Sequence, residues 1–138
     1  MDPWVTRYTP SNTTKRHLQL AKRLSNQSDF PRFKHGAVLV KGSAVINASF
    51  NKGGFNRFGA KFKSISKKEH ASLHAELGAI LNVERKRTEG STVYVVRVNN
   101  HGELRMSKPC PMCEEALRFC GVKKVIYSVE GGYEMMKL

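Results

Sequence analysis

The chain is short of cysteine and lacks long apolar runs. Its 138 residues include three cysteines, an odd number that cannot pair completely, so one domain is expected to fold on its own core without a disulfide framework. No apolar run approaches the roughly 20 residues of a membrane-spanning helix. Residues 1–10 lack the basic and apolar regions of a secretory signal. These absences predict a reduced, cytoplasmic protein with no membrane partner.

Acidic residues are also missing from Phe30 through Lys68, where nine Lys and Arg residues lie. The whole chain has 24 Lys and Arg against 11 Asp and Glu, a formal net charge of +13. Such an excess attracts polyanions whatever the fold, so binding of nucleic acid through a basic surface is one interpretation. Within a basic insert at residues 52–69, Phe55, Phe58 and Phe62 are spaced for one helical face. They either pack on the core or stack on the bases of a nucleic acid strand, and composition leaves both open.

Hydrophobic spacing and turn residues predict an α/β chain that forms a single domain over residues 1–138, with a helical region at residues 1–29. The predicted elements are, in order, a helix at Thr13–Ser25, a hairpin of strands at Ala37–Val40 and Ala44–Phe50, a helix at Ser72–Arg87, a buried strand at Thr92–Val98, a helix from Pro111 to Cys120 or Gly121, and a strand at Val122–Val129.

Two short motifs supply metal-ligand chemistry. His74 and Glu76 stand two residues apart, and Cys110 and Cys113 lie in a PCPMC segment. One imidazole and two thiolates leave the fourth tetrahedral position of zinc open for water, as in catalytic sites. Zinc lowers the pKa of bound water to about 7, and Glu76 would then move the protons. The alternative is a structural zinc knuckle, in which Glu76 and the open position have no use.

The H-x-E and P-C-x-x-C pair resembles the zinc-dependent cytidine/deoxycytidylate deaminase superfamily. The resemblance extends over His35–Asn51, Leu73–Leu81 and Lys108–Ser128, so that residues 30–128 correspond to a zinc deaminase core. It implies the fold of that superfamily, a three-layer α/β/α sandwich with a mixed central sheet.

The resemblance also implies a reaction. A cytosine-bearing nucleoside or nucleotide, of the cytidine or dCMP type, would be hydrolysed to the uracil form with release of ammonia. His74, Cys110 and Cys113 would bind one zinc ion per chain, and Glu76 would pass protons from water to the ring nitrogen and the leaving amine. The alternative is a deaminase that acts on cytosine or adenine within single-stranded DNA or RNA.

Substrate-binding residues follow from the same resemblance. The family holds the base with main-chain groups at the positions of Ala75 and Lys108, although Ser, Thr or Glu is more usual at the second. Asn51 matches an asparagine that contacts base or sugar, with a turn residue as the alternative. Arg32 or Lys34, just ahead of the first strand of the hairpin, is the expected phosphate partner, with a solvated charge as the alternative.

Self-association is expected as well. Residues 131–138 are too few to supply the full final helix and strand that many family members add, so an apolar patch would remain open to a second copy. Cys120 is expected to pack against the core. His35 and His70 are expected to be solvated rather than further ligands.

Overall fold

The computed structural model describes residues 4–28, 34–51 and 74–138, and in these ranges strands alternate with helices. The elements are β1 Val5–Tyr8, α1 Asn12–Ser25, β2 Lys34–Lys41, β3 Ala44–Phe50, α2 Ala75–Ile80, α3 Arg85–Thr88, β4 Thr92–Val98, β5 Leu104–Arg105, α4 Pro111–Phe119, β6 Lys124–Val129 and β7 Gly132–Lys137.

The strands form one mixed sheet in the order β1-β7-β6-β4-β2-β3, and the short β5 pairs with β4. Strands β4 and β6 are parallel, so their carboxyl ends meet at the same end of the sheet. Strand β2 runs antiparallel to β4 and begins opposite Val98, the last residue of β4. The start of β2 and the ends of β3, β4 and β6 therefore lie at one end of the sheet. We call it the carboxyl end of the sheet.

The core has two halves, one on each face of the sheet. Strand β4, TVYVVRV, is buried along nearly its whole length because helices cover both of its faces. Helices α2 and α4 pack on one face, with Leu77, Met112 and Leu117 fully buried against alternate residues of the strands. Helix α1 packs on the other face through Leu18 and Ala21. This arrangement confirms the predicted three-layer α/β/α fold with a mixed sheet.

Helix α1 approaches β2 most closely at Gly36. A Cβ atom there would lie 1.9 Å from the carbonyl oxygen of Ala21 and 2.7 Å from the nitrogen of Ser25. We expect Gly36→Ala to lower the free energy of unfolding by about 3 kcal/mol, since helix and strand must separate to admit the methyl group. Gly132→Ala is the control, because nothing lies within 4 Å of its Cβ position. Urea denaturation measures both, and equal stabilities would contradict this packing.

The predicted helix at Ser72–Arg87 was wrong as one continuous element. Residues 72 and 73 lie outside the described residues, and beyond them α2 ends at Ile80 and α3 begins at Arg85. Asn82, between them, has a φ of 62°. Asparagine tolerates this left-handed conformation better than most residues, and one such residue ends an α-helix.

Both ends of the chain contribute strands that the sequence did not predict. Gly131, with a φ of 75°, turns the chain from β6 into β7, and β1 then pairs with β7. Residues 131–138 thus form a strand and no helix, and the expected self-association stays a prediction. In the described ranges, no helix combines the length and apolar character that crossing a membrane requires.

Candidate metal centre

The two metal-ligand motifs lie at the starts of α2 and α4. His74 is the residue immediately before α2, with extended backbone, and its carbonyl accepts the N–H of Gly78 at 3.0 Å. Cys110 holds the same place before α4, and Cys113 lies in the first turn. Pro111 occupies the first position of α4, where its missing N–H leaves no helical hydrogen bond unmade. Each motif therefore presents its donors from a helix start.

The three donor atoms converge. The Nδ1 of His74 lies 3.2 Å from the Sγ of Cys113 and 3.8 Å from the Sγ of Cys110, and all three atoms lie within 4.8 Å of one another. Tetrahedral zinc with Zn–N of about 2.0 Å and Zn–S of about 2.3 Å separates such donors by roughly 3.6–3.8 Å. The spacing and the donor set both fit one zinc ion.

The electrostatics of the group favour a thiolate. Hydrogen bonding with Cys113, helped by a weaker one with His74, lowers the pKa of the Cys110 thiol to about 5, although burial acts in the opposite direction. The negative charge of Glu76 also opposes this lowering of the pKa. A thiolate is the form of cysteine that binds a metal.

Glu76 is the second residue of α2 and is only 4% exposed. Its carboxylate is not among the three converging donors. A carboxylate in the first turn of a helix is stabilised in its charged form by the aligned peptide dipoles. The site therefore offers three metal ligands and, two residues after His74 in sequence, a buried acid or base.

Two buried serines hold the segment that leads to Cys110. The Oγ of Ser107 donates to the carbonyl of Val95 at 3.1 Å and lies 2.8 Å from the Oγ of Ser128. The Oγ of Ser128 donates to the carbonyl of Arg105 at 2.7 Å and accepts the N–H of Arg97 at 3.0 Å. This pair is not predictable from sequence, because no local pattern links two serines that are 21 residues apart.

We expect Ser107→Ala to weaken zinc binding about tenfold, as supporting groups of metal ligands do when they are removed. It should also lower the free energy of unfolding by about 2 kcal/mol, since buried partners lose their hydrogen bonds. Ser91→Ala is the matched control. Ser91 is also buried, but it lies just before the start of β4, at the opposite end of the sheet, and its Oγ donates to the carbonyl of Thr88. It should lose stability and keep its zinc affinity. Chelator competition measures that affinity, and equal values for the two variants would contradict a positioning role.

The other sequence-predicted residues are placed as follows. Ala75 is buried as the first residue of α2, and Lys34 begins β2 at the carboxyl end of the sheet. Asn51 is buried just after β3, and its Oδ1 accepts the N–H of His35 at 2.9 Å. That bond ties the end of β3 to the start of β2, and the substrate contact expected of Asn51 stays a prediction.

Lys108 is exposed and lies between the buried Ser107 and Pro109. Its side chain lines a cavity of about 580 Å³ with Tyr127 and Glu134, and none of the three metal donors is among the described residues around that cavity. The main-chain role implied for Lys108 stays a prediction. Arg32, His70 and the basic insert at residues 52–69 lie outside the described residues. Cys120 is partly buried against the core, and burial raises the pKa of its thiol.

Comparison with known proteins identifies the family to which this metal centre belongs. The family model of the cytidine and deoxycytidylate deaminase zinc-binding region matches residues 11–129, most of the chain. The deoxycytidylate deaminase of Enterobacteria phage T2 is 28% identical over 153 aligned residues, which cover 80% of this chain and 76% of that protein.

Solved structures share the fold. The apo dCMP deaminase from cyanophage S-TIM5 superimposes with a TM-score of 0.60 at 23% identity, over 86% of this chain and 84% of that one. The cytidine deaminase from Burkholderia pseudomallei does so with a TM-score of 0.62 at 16% identity, over 89% and 91%. The chain therefore belongs to the cytidine and deoxycytidylate deaminase family, and it is a zinc-dependent deaminase.

Proposed function

We propose that the chain deaminates dCMP to dUMP by hydrolysis, releasing ammonia. The observation that carries the proposal is the convergence of His74, Cys110 and Cys113 beside the buried Glu76. The choice of dCMP is supported by the phage relative named deoxycytidylate deaminase and by the S-TIM5 enzyme, which was solved in complex with dCMP and dUMP. A base within single-stranded DNA or RNA has no comparable support.

In this proposal His74, Cys110 and Cys113 are the ligands that hold zinc. Three protein ligands are the number found in catalytic sites, where a further position is left for water or substrate. When bound, zinc supplies a Lewis acid that brings the pKa of water to about 7.

Glu76 carries the protons. Its carboxylate accepts a proton from the attacking water as the new C–O bond forms at the amine-bearing ring carbon, and it gives that proton to the ring nitrogen. It then takes the second proton of the water and delivers it to the amine as the C–N bond breaks. Both protons of one water are used, one on the ring and one on the departing ammonia, so a single buried carboxylate serves both steps.

The substrate contacts are proposed at the carboxyl end of the sheet. The N–H of Ala75, which follows His74, and the carbonyl of Lys108, two residues before Cys110, would hold the base. Asn51 is the proposed contact to the base or sugar. It lies near Lys34 at the same end of adjacent strands, since β2 and β3 pair antiparallel. Lys34 or Arg32 is the proposed partner of the phosphate.

A substrate panel with one variant tests the proposal. We expect ammonia release to be fastest with dCMP and much slower with cytidine, free cytosine and a cytosine-containing oligonucleotide. Lys34→Ala should raise KM for dCMP about tenfold, the scale of a charged hydrogen bond, and leave the cytidine reaction unchanged. Lys41→Ala, at the opposite end of β2, is the control. Equal kcat/KM for dCMP and cytidine would refute the choice of a nucleotide.

A further inference from the structure

A concave basic surface lies at the end of the sheet away from the metal donors. It borders an open cavity of about 490 Å³, within the range of about 300–1,000 Å³ that ligand pockets occupy. We call it the Trp4 surface, and its lining residues are Trp4, Arg118, Lys123, Lys124, Lys137 and Leu138.

Main-chain hydrogen bonds hold these residues together. The N–H of Lys137 donates to the carbonyl of Trp4 at 3.0 Å, and the N–H of Leu138 donates to the carbonyl of Lys123, also at 3.0 Å. Lys124 is paired with Lys137 across β6 and β7. The surface is thus built on the sheet itself, and the Trp4 side chain, 63% exposed, stands at its margin.

Cationic side chains predominate among the described residues of the Trp4 surface. Four of its six described lining residues are cations, and none is acidic. Arg118 meets Glu115 with an N–O distance of 4.0 Å between half-exposed side chains, a pair that stabilises little and neutralises little. Three lysines on one concave surface repel one another electrostatically. An anion with several charges is the kind of ligand that would reduce this repulsion.

This surface is separate from the metal centre. Cys110 stands before the first turn of α4 and Arg118 in its last, which places them about 12 Å apart along the helix axis. Lys124 begins β6, whereas the Ser128 that supports the Cys110 segment lies at its other end. A molecule held on the Trp4 surface therefore does not present a base to the metal ligands.

We propose that the Trp4 surface binds single-stranded nucleic acid, with phosphates on the lysines and Arg118 and a base stacked on Trp4. An exposed aromatic ring beside cations is the arrangement that binds single strands without reading their sequence. A duplex keeps its bases stacked inside and offers none to an indole. A lipid headgroup layer is flat, whereas this surface is concave. The surface would hold the enzyme on nucleic acid and leave the metal centre open to small substrates.

Trp4 is the sole tryptophan of the chain, so its fluorescence reports on this surface alone. The probe is an oligothymidylate of about 15 nucleotides, a length that spans a typical single-strand site. Thymine has no amine to lose, so binding is measured apart from deamination. We expect the oligothymidylate to quench Trp4, and dCMP at the same nucleotide concentration to leave it unchanged. Four phosphate contacts predict a plot of log affinity against log salt with a slope of about −3.

Matched variants locate the binding. Lys123→Ala with Lys124→Ala should weaken binding at least tenfold and bring the slope to about −1.5, half of the wild-type value. Lys22→Ala with Arg23→Ala removes the same charge from an exposed face of α1 and should change binding little. With a fluorescently labelled strand, Trp4→Ala should weaken binding about fivefold or more, and Trp4→Phe should restore most of the loss.

Three results would overturn the proposal: no quenching by the oligothymidylate, equal losses in the two double variants, or tighter binding to a duplex or to anionic vesicles than to the single strand. Turnover of dCMP is measured on the same preparations. An enzyme that binds the strand but does not turn over dCMP would refute the proposed substrate and leave this surface assigned.

Discussion

Glu76→Gln is expected to lower kcat for dCMP at least a thousandfold and to leave the zinc content at one ion per chain. The amide keeps the size of the side chain but cannot accept or return a proton, and general acid–base catalysis by one positioned group contributes about 10²–10⁴ in rate. Because Glu76 would serve two proton transfers, the loss should fall near the upper end of that range. Zinc should stay bound because the carboxylate is not one of the three converging donors.

The control for this variant is Glu115→Gln. Glu115 is exposed on α4 and forms an ion pair with Arg118, so its loss should leave both turnover and zinc content unchanged. Elemental analysis and steady-state kinetics on the same preparation separate the two properties. Loss of zinc from Glu76→Gln would make the carboxylate a ligand and contradict the role proposed for it.

Cys113→Ala is expected to lose both zinc and turnover. Its Sγ is fully buried and lies 3.2 Å from the Nδ1 of His74, and it is one of the three converging donors among the described residues. Zinc should stabilise the wild type by about 4 kcal/mol when free zinc exceeds its Kd a thousandfold, and it should not stabilise the variant. Thermal unfolding with and without zinc measures this difference.

Cys120→Ala is the matched control, since the same substitution is made at the other end of α4. Cys120 caps that helix and packs beside the core, seven residues after Cys113 and so about 10 Å from it along the helix axis. It should keep one zinc ion and most of the turnover. A Cys113→Ala variant that retained its zinc-dependent stabilisation would mean that other side chains bind the metal.

The metal centre was predictable from sequence because its geometry is local. A residue immediately before a helix and one in its first turn lie close together whatever the rest of the fold does. The spacing of Cys110 and Cys113 therefore already predicts that both bind the same metal ion. His74 and Glu76 are related in the same way on α2. The one relation that sequence spacing could not supply, the approach of the two helix starts, came from the resemblance to a family.

The features that sequence missed are those decided by tertiary pairing. Strands β1 and β7 are short, and β1 exists because β7 offers it an edge at the far end of the chain. The break at Asn82 competes with helix-forming neighbours on both sides, and only the packed structure selects the left-handed residue. The serine pair at Ser107 and Ser128 and the Trp4 surface likewise join residues that are distant in sequence.

The central claim is tested most directly by titrating zinc into metal-free protein while following the conversion of dCMP to dUMP. The account predicts no turnover without zinc, a linear rise as the metal is added, and a plateau at one zinc ion per chain, the capacity of the His74, Cys110 and Cys113 group. Full turnover of dCMP by the metal-free protein, or none from protein that holds one zinc ion, would contradict it.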